Sequence, residues 1–167
     1  MNIAKVVVSM LLAVFLFGCI NSDGSEYEQR FEESKKLPTD YMAEKAIENG
    51  DVVDLLGKIS NLDKLDSFIQ DVKDNKESFV RLVRYTLEGD PIIFSVFYDK
   101  KQIKCYIDNT RDQYGGNSTG IKEVIYSKIE MIVDDSDDNK REYDFYNEEG
   151  NVADRLMVDL SKDNSKP

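Results

Sequence analysis

The chain contains no histidine and no tryptophan in its 167 residues. Histidine is the side chain that most often serves as a general base near neutral pH. Ser-His-Asp and Cys-His mechanisms are therefore excluded, as is every histidine-containing zinc site. Cysteine is almost absent: Cys19 and Cys105 stand alone, with no Cys-x-x-Cys spacing. That excludes a structural zinc or a thioredoxin-like motif. Positive charge is scarce, 22 basic residues against 33 acidic ones, for a formal net charge of −11. Phosphate recognition needs clustered Lys and Arg, so the composition argues against nucleic acid. It also argues against direct adhesion to anionic lipid headgroups. There is no phosphate-cradling glycine loop, nucleophile elbow or metalloprotease motif.

Long hydrophobic runs are missing too, with one exception. From Val6 to Phe17 every residue is apolar except Ser9. A transmembrane helix needs about 20 apolar residues, and this run is shorter. Lys5 precedes it and the small Gly18 follows it, the pattern of a secretory signal. Leu16-Phe17-Gly18-Cys19 resembles the lipobox of bacterial lipoproteins. The resemblance implies a diacylglyceryl (palmitate-type) lipid on the Cys19 thiol and cleavage just before it. Residues 1–18 are then a lipoprotein signal peptide, and the mature protein is anchored to the outer face of the plasma membrane. Two acyl chains suffice for stable attachment, where one does not. An uncleaved signal anchor is the alternative. No other cofactor is expected.

Residues 19–37 are mostly polar and lack apolar periodicity, so they read as a flexible tether. Residues 38–160 read as one α+β domain, and 161–167 as a disordered polar tail. Thr39 or Asp40 caps a short N-terminal helix through about Asn49, with Gly50 as its stop. Asp51 to Ile59 reads as one strand. Behind Asn61, a candidate N-cap, residues Leu62, Leu65, Phe68, Ile69 and Val72 form one apolar helical stripe. Four or five strands follow. The whole is expected to be an antiparallel sheet of five to six strands with this main helix packed on one face.

A four-residue loop at Glu88–Pro91 would pair Leu87 with Ile92 and Val83 with Val96. A loop at Asp99–Gln102 pairs Val96 with Cys105. In that register Cys105 lies on the core face as a buried thiol. The opposite face carries Leu82, Arg84, Phe97, Lys104 and Tyr106, which combine aromatic area with positive charge. Aromatic residues and arginine anchor interfaces, so this is the candidate binding face. Further on, Ile125, Ile129, Met131 and Val133 are expected inward on one strand from Ile121 to Val133. Arg141–Tyr146 and Val152–Leu160 read as two more strands.

Asp134, Asp135, Asp137 and Asp138 invite a calcium reading. An EF-hand loop wants glycine sixth and glutamate twelfth, but counting from Asp134 these are Asn139 and Phe145. A solvated hairpin tip is the default reading, with a looser cation site as the alternative, and no metal residues are assigned.

The runs Asn49-Gly50-Asp51-Val52-Val53, Gly57-Lys58-Ile59, the Leu62/Leu65/Phe68 helix and Glu88-Gly89-Asp90-Pro91 resemble a family of small lipoproteins from Gram-positive bacteria. That family is classed only as a domain of unknown function. The resemblance spans about residues 46–112. Relatives often carry a cysteine pair in the last third, which this chain lacks. No activity comes with the resemblance. The expected function is a non-catalytic, membrane-anchored binding module for a protein, peptide or cell-envelope ligand. The alternatives are a cell-wall hydrolase working through carboxylates and an inhibitor or immunity-type protein.

Overall fold

A computed structural model describes residues 24–133 and 139–159. The expected signal peptide over residues 1–18, Cys19, the Asp134–Asp138 run and the 161–167 segment lie outside the described residues. Among the described residues, three α-helices and nine strands follow in the order α1 (Glu26–Ser34), α2 (Ala43–Glu48), β1 (Val52–Leu55), β2 (Lys58–Ser60), α3 (Leu62–Lys73), β3 (Ser78–Tyr85), β4 (Pro91–Tyr98), β5 (Ile103–Asp108), β6 (Ile121–Tyr126), β7 (Lys128–Val133), β8 (Lys140–Tyr146) and β9 (Val152–Asp159). Six strands form one sheet, ordered β2-β1-β3-β4-β5-β6, and three form a second, ordered β7-β8-β9. The class is α+β, as expected. The second sheet was not, and β1 pairs with β3 in parallel through the α3 crossover.

The expected Asp51–Ile59 strand is a hairpin. Leu56 and Gly57 both have positive φ, 55° and 86°, the signature of a two-residue type I′ turn, and Leu55 pairs with Lys58 across it. The main helix matches its expected span. Leu62, Leu65, Phe68 and Ile69 are buried against the large sheet. Asn61 precedes the helix but does not cap it. Its φ is +57°, and its amide instead donates to the carbonyls of Ile47 and Asp51.

The tether expectation fails from residue 26 onward. Ser25 caps α1 by accepting a hydrogen bond from the Glu28 amide at 3.1 Å, and Glu26 and Glu28 sit favourably at the positive end of the helix. Phe31 and Ser34 face the sheet and are buried. Capping and one aromatic anchor outweigh the polar composition. After α1, Arg111 donates to the carbonyls of Leu37 (2.8 Å) and Pro38 (3.1 Å) and is paired with Asp108. This clasp fixes the chain before α2.

The β4–β5 register is as expected, Val96 opposite Cys105. The β3–β4 register is not: Tyr85 pairs with Pro91, Leu82 with Phe94 and Val80 with Val96. The pairing continues to Thr86, whose N–H donates to the Asp90 carbonyl, and Gly89 turns the chain at φ +92°. The tip is therefore the three residues Leu87, Glu88 and Gly89. The shift from the expected register is an odd number of residues, so every β3 side chain changes face.

β6 and β7 are not one strand either. At Ser127 the chain leaves the large sheet for the small one, with the Ser127 N–H donating to the Tyr146 carbonyl at 2.8 Å and its hydroxyl to the Asn147 carbonyl at 2.6 Å. The pleat restarts there. Tyr126 and Ile129 are buried in the same core, while Ile125, Met131 and Val133 are exposed. The small sheet and α3 lie on one face of the large sheet, and α1 and α2 cover the other.

Candidate functional site

The register change splits the expected binding face. Leu82 and Arg84 lie on the α3 side, while Phe97, Lys104 and Tyr106 lie on the α1 side. On the α1 side Phe97 is 1% and Tyr106 5% exposed, because α1 lies over them. The Phe31 and Phe97 rings are 6.0 Å apart, and the Lys35 ammonium sits 5.5 Å from the Tyr106 ring. Lys104 is half-buried, pairs with Asp99 at 3.1 Å and stacks on Phe97. Phe97 and Lys104 do share a surface hollow beside Lys35 and Glu123. Phe97 and Tyr106, however, present no open surface for a partner. α1 was legible in the sequence after all: Ser25 and Glu28 have capping-box spacing, and Tyr27, Phe31 and Ser34 recur at helical intervals.

Beside α1 and α2 a buried polar knot fixes the start of β1. Arg81 and Asp51, 11% and 2% exposed, are 2.8 Å apart. The Tyr41 hydroxyl donates to Asp51 and accepts from Asn49 at 2.9 Å and from Arg81 at 3.2 Å. Burial and the Asp51 carboxylate push the Tyr41 hydroxyl pKa up, so the phenol keeps its proton. Its position explains why Asn49-Gly50-Asp51 belongs together: Gly50 takes φ +79° at the end of α2, which an L side chain resists.

On the α3 side, Leu82 and Arg84 meet a different set of residues. The small sheet stands over the large one and leaves a cavity of about 80 Å³ between them. Leu82, Val96, Cys105 and Tyr126 line it from the large sheet, and Phe145 and Leu156 from the small one. These are nearly all buried. Exposed Arg155, together with half-buried Arg84 and Asp154, marks its mouth.

The polar groups there are largely spent on one another. The Arg155 Nε and Nη2 donate to the two oxygens of buried Asp144 at 2.6 and 2.8 Å, and its Nη1 pairs with Glu142 at 3.1 Å. Tyr126 donates its hydroxyl to Asp154. Arg84 Nε donates to Asp54 at 3.2 Å, and the other Asp54 oxygen accepts from the Gly57 amide at 2.8 Å. Burial, reinforced by the Asp154 charge, pushes the Cys105 thiol up to about 12. It is a protonated, weakly nucleophilic wall group, and it is buried and free. Asp154, Arg155 and Phe145 carried no sequence signal of a shared role, since only the packing of the two sheets brings them to Arg84.

A family profile described as a domain of unknown function, DUF4362, matches residues 49–144. The chain belongs to the DUF4362 family. The match runs from Asn49, just after α2, through most of β8, and takes in most of the 46–112 stretch that carries the resemblance. The DUF4362 span contains Leu82, Arg84, Cys105 and Tyr126, but ends before Phe145, Asp154 and Arg155. The roof of the cavity thus lies largely beyond it. No curated protein and no solved structure gives a significant match.

Proposed function

We propose that this DUF4362 protein is a lipid-anchored extracytoplasmic binding module, acylated at Cys19, that holds an apolar group of its ligand in the cavity between its two sheets. The observation that carries the reading is the cavity itself, apolar within and ringed by charges at one end. Such a lining with a few convergent polar groups is the usual form of a small-ligand site. A binding role without chemistry fits the pairing of its polar groups. Asp154, the carboxylate in the cavity lining, accepts from Tyr126, Asp144 behind Arg155 is engaged by that arginine, and the Cys105 thiol holds its proton. A carboxylate hydrolase would need one of them released.

Anchoring rests on Leu16-Phe17-Gly18-Cys19 and the apolar run before it. Metabolic labelling with a fatty-acid analogue should mark the wild type and not Cys19→Ala, and persistent labelling of the variant would refute it. For binding, the test is a Val96→Phe variant that fills the cavity. Crosslinking in intact cells followed by mass spectrometry should recover the same adducts from wild type and from a surface control, and lose them in Val96→Phe. Equal recovery from all three would remove the cavity from the function. A circular dichroism spectrum like that of the wild type shows that the variant folds.

A further inference from the structure

The charges at the cavity mouth differ in what they have left to give. Arg155 has spent Nε and both terminal nitrogens on Asp144 and Glu142. Arg84 has spent only Nε, on Asp54. Its terminal nitrogens have no partner among the described residues, and its guanidinium lies 5.9 Å from the Phe94 ring, which also lines the cavity. The side chain is 39% exposed, so ligand can reach it. Asp54 is held from its other side by the Gly57 amide, which fixes the Arg84 Nε and aims the remaining fork. A planar fork with two free donors fits a carboxylate. The cavity behind it, at about 80 Å³, is smaller than the ~150 Å³ apolar cavity that takes benzene. It admits a short branched alkyl group rather than a long acyl chain.

We infer that the ligand of this site is a carboxylate borne on a short branched apolar group, with the alkyl part among Leu82, Val96 and Leu156 and the carboxylate on Arg84. This rests on the cavity being the binding site. A free short-chain acid and the apolar C-terminal residue of a peptide share that chemistry. Asp154, the other half-buried charge at the mouth, makes the opposite prediction: a cationic head.

The test uses the full chain in nanodiscs and reads the methyl resonances of Leu82, Val96 and Leu156 during titration. The probes are isovalerate, isoamyl alcohol and isoamylamine, which share one isobutyl group, and N-acetyl-leucine. Isovalerate should bind about tenfold more tightly than the alcohol, the value of one charge-assisted pair. Arg84→Gln should lower isovalerate to the level of the alcohol and leave the alcohol unchanged. Arg84→Lys, a point charge without the fork, should recover only part of the difference. N-acetyl-leucine tighter than isovalerate identifies a peptide end, and weaker identifies a free acid; either supports the assignment. Alcohol equal to isovalerate, or amine tighter than both, overturns the carboxylate while leaving the cavity as the site. No shift of these methyls with any probe overturns the cavity reading as well.

Discussion

Cys105 keeps its proton because burial makes the thiolate costly, with the nearby Asp154 charge adding to the effect. The folded value, about 12, lies above the reference value of 9.0. Between these two the folded protein holds a proton that the unfolded chain releases. The stability contributed by the thiol is thus complete below pH 9.0 and is lost as the pH rises toward about 12. Iodoacetamide alkylation of the native protein inside that window should run at least about a hundredfold slower than in urea. Similar rates in both would mean an open, ionised thiol. Arg81 makes the complementary case. Arg81→Met leaves Asp51 buried without its cation and should cost about 3 kcal/mol by urea denaturation. The exposed Lys76–Asp74 pair at 2.8 Å is the control: Lys76→Ala should produce no measurable change, since two solvated side chains gain little from pairing.

Among the elements, α1 is the one that composition hides. Nine residues of mostly charged helix become ordered because Phe31 reaches Phe79, Phe97 and Tyr106 and because Arg30 and Lys35 lie over aromatic rings. Phe31→Ala should free α1 without unfolding the sheets. Trypsin cleavage after Arg30, Lys35 and Lys36 should then rise about a hundredfold, as expected from the loss of one buried aromatic, with the strand signal in circular dichroism retained. Unchanged cleavage would mean that the Arg111 clasp, rather than Phe31, holds the segment. The β3–β4 hairpin carries a different lesson. Its two strands were legible from their alternation, but alternation cannot fix how many residues a turn consumes. The positive φ of Gly89 and the Thr86–Asp90 pairing decide that, and they place Leu87, 84% exposed, at the tip. An odd difference in register at this one turn puts Leu82 and Arg84 on the opposite side of the sheet from the expected one.

For the molecule as a whole, the two sheets share one core. Ile129, Tyr143, Phe145, Leu156 and Val158 of the small sheet join Val80, Val96, Cys105 and Tyr126 of the large one. The Tyr143 hydroxyl and Arg141 also reach Asp66 of α3, at 2.8 and 3.0 Å. Leu156→Ala should therefore lower the stability of both sheets together, by about 2–5 kcal/mol, in a single transition seen alike by far- and near-ultraviolet circular dichroism. Two separate transitions would show that the small sheet folds by itself. The early start of α1 also bears on anchoring. Only residues 20–25 lie between Cys19 and the helix, at most roughly 20 Å of chain. On the lipoprotein reading, the domain stands close to the membrane instead of at the end of a long tether.

Local sequence by itself determined several features: the absence of histidine chemistry, the lipobox-like cysteine, the α3 stripe, the strand segments from β3 to β5 and the last two strands. Each depends on residue type or on spacing within one element, where a period of 2 or 3.6 is enough. Tertiary structure alone decided that α1 docks, that the chain changes sheets at Ser127 and that Arg84 faces Asp154 and Arg155 over a cavity. Those outcomes turn on pairings between residues far apart in the chain. A side chain's face depends on the parity of every turn before its partner, and apolar surface finds its cover wherever the folded chain brings a matching face.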